Sequence, residues 1–392
     1  MKTSKRLLAV LLAAVLTAAC FVGCHKKDAV AATYTANGKT YSMPAGEYAM
    51  AVILADNEGR GKVNEELTDA EKNAGNIDYR KKTIDGKKFE DWVNARAEEI
   101  VYQYFYYAAE FDKNKLELSE SDTESMNSYL SYQWSLSGYQ YVCEPNGVSF
   151  DSFKAFETVY SYQRNALFTY LYGDNGPLEI PQDDRTACLV EKFALADVIE
   201  VDPSTLAEEG ENSDELSDEE KDALKETLKE RAKTLLEGYA DRLNKGEAFS
   251  AIYYEHTQTE PEEEETTDGE TSQPQDSLAK LYGAEGTSVE NDLFETVLEC
   301  EAGVATVKET ESGSFLLILR LDVTADPYYP ETYNDELLYL LKNDEFDKTV
   351  ETDVAKLEVN LNRYECDYIK PSKIDYTEYN TYMASLQSQY GG

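Results

Sequence analysis

The stretch Leu189-Val190-Glu191-Lys192-Phe193-Ala194-Leu195-Ala196-Asp197-Val198-Ile199-Glu200-Val201 decides the fold. Phe193, Leu195, Ile199 and Val201 recur at even spacing among strand formers, so the segment predicts a β-strand. An acidic linker covers 202–216. Ser217-Asp218-Glu219-Glu220 then reads as a capping box that opens a long helix, with Leu224, Leu228, Ala232, Leu235, Leu236, Tyr239 and Leu243 on one side and Gly246 as its stop. A short helix, Ala248 to Tyr254, comes next. Residues 257–277 contain Glu, Asp, Thr, Gln, Gly and Pro without a large apolar side chain, a composition that predicts a disordered loop. A helical turn near Asn291 to Leu298, a strand Val304 to Thr310, a turn at Ser312-Gly313 and a strand Phe315 to Val323 complete the middle of the chain.

On either side of this β-containing stretch the periodicity is helical. Trp92, Val93, Ala97, Ile100, Val101, Tyr104, Phe105, Ala108 and Phe111 fall at i, i+3, i+4 and i+7 steps, which places one wide apolar face on a helix. Ser119 with Asp122, then Met126, Leu130 and Trp134, predict a second helix over about 119–137. Phe150, Phe153, Phe156, Val159, Leu167, Tyr170 and Leu171 predict a third, ended at Gly173. Ahead of them, Asn37-Gly38 between short alternating segments signals a hairpin turn. Ser42-Met43-Pro44 starts a helix through Val52 and Ile53, and Gly59 to Lys87 reads as mostly loop. Beyond Asp326-Pro327-Tyr328-Tyr329-Pro330 a helix is predicted from about Thr332 to Tyr364. Such a helix cannot bury its apolar face alone, so it is expected to pack back on the N-terminal helices.

Composition narrows the function. The 392 residues hold 37 Lys plus Arg against 77 Asp plus Glu, a formal charge of -40, which repels nucleic-acid phosphates and anionic headgroups. No nucleic-acid partner is expected. Two His, two Trp and no Cys-x-x-Cys leave no thiolate zinc cage and little histidine chemistry, so neither metal nor cofactor is predicted. The run Glu260-Pro261-Glu262-Glu263-Glu264-Glu265 lacks the spaced loop of a calcium site and reads as a solvated charge run. Thirty tyrosines supply rings that pack apolar while their hydroxyls need partners.

The N-terminus reads as an export address. Lys2, Lys5 and Arg6 precede an apolar run from Leu7 to Ala19 that is too short to span ~30 Å of hydrocarbon at ~1.5 Å per residue. Phe21-Val22-Gly23-Cys24 resembles a bacterial lipobox, with Leu16-Thr17-Ala18-Ala19-Cys20 as the alternative. The expectation is a lipoprotein signal over 1–23, acylation of Cys24 (alternatively Cys20), and anchoring to the outer face of the bacterial cytoplasmic membrane. Cleavage before Cys24 removes Lys2, Lys5 and Arg6 and no acid, leaving 34 minus 77, or -43. Acyl chains, not charge, must then hold the protein at the bilayer.

The order strand, long helix, short Gly-Glu-Ala-Phe helix, turn, strand, Gly turn, strand resembles that of a parvulin-type peptidyl-prolyl isomerase domain. Lys245-Gly246-Glu247-Ala248-Phe249-Ser250, Leu293-Phe294-Glu295-Thr296-Val297-Leu298 with Gly303, and Glu311-Ser312-Gly313-Ser314-Phe315-Leu316-Leu317 carry the likeness. With helical segments on both sides, nearly the whole mature chain resembles secreted foldases of the SurA/PrsA type. The resemblance implies an α+β protein: a helical chaperone-like domain split between 24–180 and the C-terminal helix in 326–392, carrying an inserted degenerate parvulin-like domain at 181–325. It also implies unfolded or extended exported polypeptides as partners. The positions of the family's two histidines read Ala196 (or its neighbour Leu195) and Phe315, while His25 and His256 align with neither, so no catalytic residue is carried over.

A chaperone of this kind would hold clients in an aromatic groove, for which Trp92, Tyr104, Phe105, Trp134, Phe153, Tyr160 and Tyr170 are the candidates. Two alternatives stand beside it: an active peptidyl-prolyl isomerase, and a surface lipoprotein that binds a solute or matrix partner. Cys143, Cys188, Cys300 and Cys366 permit three disulfide pairings or none.

Overall fold

The computed structural model describes residues 28–73, 77–208, 216–259, 278–367 and 369–390. The signal segment with Cys20, Cys24 and His25, and all but the first three residues of the 257–277 loop, lie outside them. The protein is mixed helical with small antiparallel sheets, an α+β chain, and divides into two compact units, 28–170 with 345–390, and 171–344.

The first unit begins with the hairpin β1 (Val30–Ala36) and β2 (Lys39–Pro44), turned at Asn37 and Gly38 with φ of 52° and 75°. Two consecutive positive φ values suit the right-handed strand twist, which is why Asn-Gly stands there. Helix α1 (Ala45–Glu65) follows directly and is longer than its sequence suggests. The predicted loop from Gly59 to Lys87 is corrected here: the helix continues through Gly59 and Gly61, and a small hairpin, Thr83–Ile84 with Lys87–Lys88, comes after it. Gly59 is needed because a Cβ there would stand 3.1 Å from the Phe89 ring and 3.2 Å from Trp92. The glycine that reads as a breaker is instead a contact point between helices.

Helix α2 (Phe89–Lys113) buries all nine residues that its periodicity singles out, eight of them, all but Phe111, in the core it shares with α1. Helix α3 (Glu120–Ser135) carries the Ser119–Asp122 capping box in both directions. The third helix is interrupted: α4 (Phe150–Glu157) and α5 (Arg164–Tyr172) flank a π-helical turn at Thr158–Gln163, where one extra residue rotates the chain.

The unit is completed from the far end of the sequence. Strand β7 (Asn360–Leu361) adds to β1 through Ala32 and Thr33, giving the antiparallel order β2-β1-β7. The predicted helix to Tyr364 therefore needs correction, since α10 (Asn334–Val354) stops early and Leu361 lies on a strand. Pairing with β1 outcompetes helix propensity. Asn146 adds a second tie: its Nδ2 donates to Val142 O (2.6 Å) and Asp375 O (2.9 Å), and its Oδ1 accepts from the Asp375 N–H (2.8 Å). A short helix, α11 (Arg363–Cys366), and a terminal helix, α12 (Thr377–Tyr390), follow.

In the second unit, α6 (Gln182–Lys192) claims the first four residues of the expected strand, and β3 runs Phe193–Val201. Next come α7 (Asp218–Leu243), closed at its start by the Ser217–Glu220 box, α8 (Phe249–Thr257), β4 (Lys280–Gly283), α9 (Phe294–Leu298), β5 (Ala305–Glu309) and β6 (Phe315–Leu321). The sheet order is β4-β3-β6-β5, antiparallel throughout. Strand alternation divides β3 between two cores. Ile199 and Val201 pack with Leu317, Phe315, Ala232 and Leu236, whereas Ala194 and Ala196 pack with Phe294, Val297 and Ile318. Arg185 is 2% exposed and fastens the unit, donating to Ile180 O, Asn334 Oδ1 and Asp174 Oδ1. Cys143, Cys188, Cys300 and Cys366 are free and buried.

Removing the Asn146 side chain leaves a buried N–H and two carbonyls to be satisfied otherwise. Asn146→Ala is expected to cost about 2–3 kcal/mol. The check is a lower urea midpoint at unchanged slope.

Candidate functional site

Helix α2 presses its aromatic stripe onto α1, and this consumes most of the expected groove. Trp92, Tyr104, Phe105 and Phe153 are buried, with Phe105 and Phe153 at 0% exposure. They cannot touch a client without opening the core, which corrects their assignment to a groove. Trp134 is half-buried, its ring 5.4 Å from Phe150 and 5.5 Å from Phe153. Tyr160 is half-buried, stacked on Phe156 at 5.2 Å, and donates its hydroxyl to Gln103 Oε1. Tyr170 alone of the seven is exposed.

Apolar surface is offered elsewhere on the first unit. Tyr129 and Tyr132 on α3 and Leu136 just beyond it are 54%, 54% and 63% exposed, at i, i+3 and i+7, and so share one helix face. Tyr382 of α12 borders this strip, donating to Leu136 O (2.7 Å) and stacking on Tyr141 at 4.6 Å. Gly138 makes room for it, with φ of +81° and space for no Cβ within 2.6 Å of the Tyr382 ring. Size and helical spacing do not separate a core aromatic from an outward one. Polarity of the neighbours does: Tyr129 and Tyr132 stand among Asn127, Ser128, Ser131 and Gln133, as an outward face must.

In the second unit Ala196 and Phe315 do not form a common pocket. Ala196 pairs with Arg320 and belongs to one sheet face, while Phe315 pairs with Val201 and belongs to the other. The correction follows from the period of two along a strand. Asp197, next to Ala196, is the residue that sequence reasoning passed over. It sits in the central strand opposite Leu319 and is 6% exposed, and its Oδ1 has no hydrogen-bond partner among the described residues. Burial raises its carboxyl from 3.8 to about 6. An Asp interrupting Phe193–Val201 is a visible anomaly, and perturbed acids of this kind cluster at working sites. His256 lies on α8, edge-on to Tyr239 at 5.9 Å, away from the β3 and β6 positions.

The first unit also holds a buried acid. Glu47, in the first turn of α1, accepts the Tyr104 hydroxyl at 2.8 Å, and burial raises it from 4.5 to about 7. Asp56, 1% exposed, accepts at Oδ2 from Arg60 Nε (2.6 Å) and the Tyr376 hydroxyl (2.7 Å), its Oδ1 has no hydrogen-bond partner among the described residues, and the Arg60 guanidinium lies over the Tyr79 and Tyr376 rings. No group of three His, Cys, Asp or Glu side chains among the described residues is arranged to hold a metal ion. No described helix is long and apolar enough to cross a membrane.

Glu47 and Asp197 both bind their protons more tightly folded than unfolded. Their contribution is full below the unfolded values and is lost as pH rises through about 7 and about 6. Glu47→Gln and Asp197→Asn are therefore expected to stabilise the protein at pH 8 relative to the parent, on the order of 1–3 kcal/mol each, and to leave it nearly unchanged at pH 4. Denaturant titrations at the two pH values measure the difference.

No protein-family model matches the chain, and no curated protein sequence matches it either.

Proposed function

We propose that the protein is an exported, lipid-anchored chaperone of the SurA/PrsA type that holds unfolded or extended exported polypeptides. In this reading its parvulin-like module is impaired as an isomerase. The observation that carries the reading is the element order of the second unit, β3-α7-α8-β4-α9-β5-β6 on one antiparallel sheet, set between two segments of a largely helical first unit. The exposed strip Tyr129, Tyr132 and Leu136 supports client binding by giving apolar contact without demanding a particular sequence. The surplus of acids supports it twice over, keeping an apolar surface soluble and drawing in basic stretches of unfolded chains.

Impairment rests on the sheet. The β3 and β6 positions in question hold Ala196 and Phe315, which turn to opposite faces, and neither offers a polar group to a twisting imide. A second reading, an active isomerase, draws on Asp197, whose buried carboxyl is the one polar group on its face of β3. Rotation about X–Pro has a barrier near ~20 kcal/mol, and a placed acid is one way to lower it.

The soluble form, without its lipid, is expected to suppress aggregation of a chemically denatured client at stoichiometric amounts. Tyr129→Ser, Tyr132→Ser and Leu136→Ser together should weaken that protection severalfold with folding intact, as light scattering and circular dichroism report. Exchange of a short proline peptide should match the rate in buffer. Acceleration abolished by Asp197→Asn would instead establish the second reading. Replacing both Cys20 and Cys24 with Ser should move the protein from the membrane fraction to the medium.

A further inference from the structure

The C-terminal helix α12 is joined to its unit firmly at one end and lightly along its length. Just ahead of it, Asn146 binds both the N–H and the carbonyl of Asp375, and the Tyr376 hydroxyl donates to Asp56 Oδ2 (2.7 Å) and Asn57 Oδ1 (2.9 Å). From Thr377 onward the anchoring thins. None of the described side chains of α12 is buried, and only Tyr379, Tyr382 and Leu386 are half-buried. Among the described residues its fastening rests on the Tyr379 ring against the core, the Tyr382 hydroxyl on Leu136 O, and the Tyr382 ring on Tyr141. Glu378 is its only charged side chain, and residues 136–143 beneath it carry no charge, so no ion pair between them adds to this.

A helix of 14 residues is marginal in water unless one of its faces is buried. Helix α12 therefore holds its place by a narrow margin, behind a fixed hinge at Asp375–Tyr376. The surface it covers continues the exposed strip of α3. Gly138, buried under the Tyr382 ring, follows Leu136 by two residues. Tyr139 has neighbours in both strip and helix: burial first, then Glu157, Cys143, Tyr379 and Tyr129, raises its hydroxyl above the usual range. The covering face, Tyr379, Tyr382 and Leu386, has the same residue types at the same i, i+3 and i+7 steps as Tyr129, Tyr132 and Leu136. From within the chain, α12 thus gives the 136–141 surface the apolar and phenolic contact that a client would bring to it.

We propose that α12 is a hinged strap that occupies the end of the client strip and swings away when a client fills it. This rests on the chaperone reading and adds a regulatory element to that same site. Displacement requires that the client make contacts the strap cannot. A client that carries lysines or arginines beside its apolar side chains meets a stretch, Lys115 to Lys154, with six carboxylates and no cation between those two lysines, whereas the strap brings only Glu378. While the strap is closed, the apparent affinity for clients is lowered by the fraction of molecules that are open.

The test uses the soluble form, without its lipid, and a fluorescein-labelled Lys-Tyr-Ala-Tyr-Leu-Ala-Lys peptide followed by anisotropy, with hydrogen exchange of the α12 amides reporting on the strap. Tyr382→Ser loosens the strap from its own side. Gly138→Ala loosens it from the other with every strap side chain in place, since the added Cβ would stand 2.6 Å from the Tyr382 ring. Both variants are expected to bind the peptide at least threefold more tightly and to exchange faster in α12, while unchanged exchange in α2 shows that the fold is intact. Saturating the parent with peptide should speed α12 exchange in the same way. Unchanged or weaker peptide binding in both variants overturns the strap, as does α12 exchange that the peptide leaves unaltered or slows. The chaperone reading survives either result if the combined Tyr129, Tyr132 and Leu136 substitutions still abolish binding. Binding by neither the parent nor either variant overturns both.

Discussion

Strand β1 has one neighbour beside it in sequence and the other near the opposite end of the chain, and the first unit depends on that second pairing. Ala31 and Ala32 are almost fully buried, and β7 and the segment after it pair with them. The Cys366 thiol donates to Ala31 O across 335 residues, and the Asn362 N–H donates to the same carbonyl. Closing so long a loop costs little more than closing a shorter one, about 0.6 kcal/mol per doubling of length. The contacts at Asn146 and Tyr376 fasten the same C-terminal segment at two further points, so its ordering is shared among several elements.

Where a pattern had one physical explanation, it was legible. The Asn-Gly turn, the nine-residue stripe of α2 and the capping boxes at Ser119 and Ser217 are local, and each stands where its residues put it. The misreadings came where tertiary contact overrules local preference. Gly59 reads as a breaker until Phe89 and Trp92 lie against it. Leu357 and Leu361 continue a helical series but leave the helix, because β1 offers a strand edge. Lys280–Gly283 is too short to announce itself and is recognisable as a strand only beside β3. The site was less legible than the fold for a related reason: large aromatics at helical spacing serve a core and a groove equally well, and only the neighbouring polar residues separate Tyr129 and Tyr132 from Phe105 and Phe153.

Charge is distributed with the same economy of cause. The chain carries a large excess of carboxylates, and among the described residues Glu47, Asp56, Asp197 and Glu365 are buried. Two of these, Glu47 and Asp197, are held by their surroundings near the neutral form. One is answered by a tyrosine hydroxyl, and the other keeps an oxygen unanswered in the middle of a sheet. Their unlike partnership marks Glu47 as part of the packing and leaves Asp197 with capacity to spare.

The four buried sulfhydryls decide how the folded molecule meets thiol chemistry. Cys188 and Cys300 lie in two different apolar clusters of the second unit, whereas Cys143 and Cys366 belong to the large core of the first, and burial pushes Cys143 up to about 12 and Cys366 up to about 11, far from the thiolate that exchange chemistry requires. Folded, these positions offer an attacking disulfide no ready nucleophile.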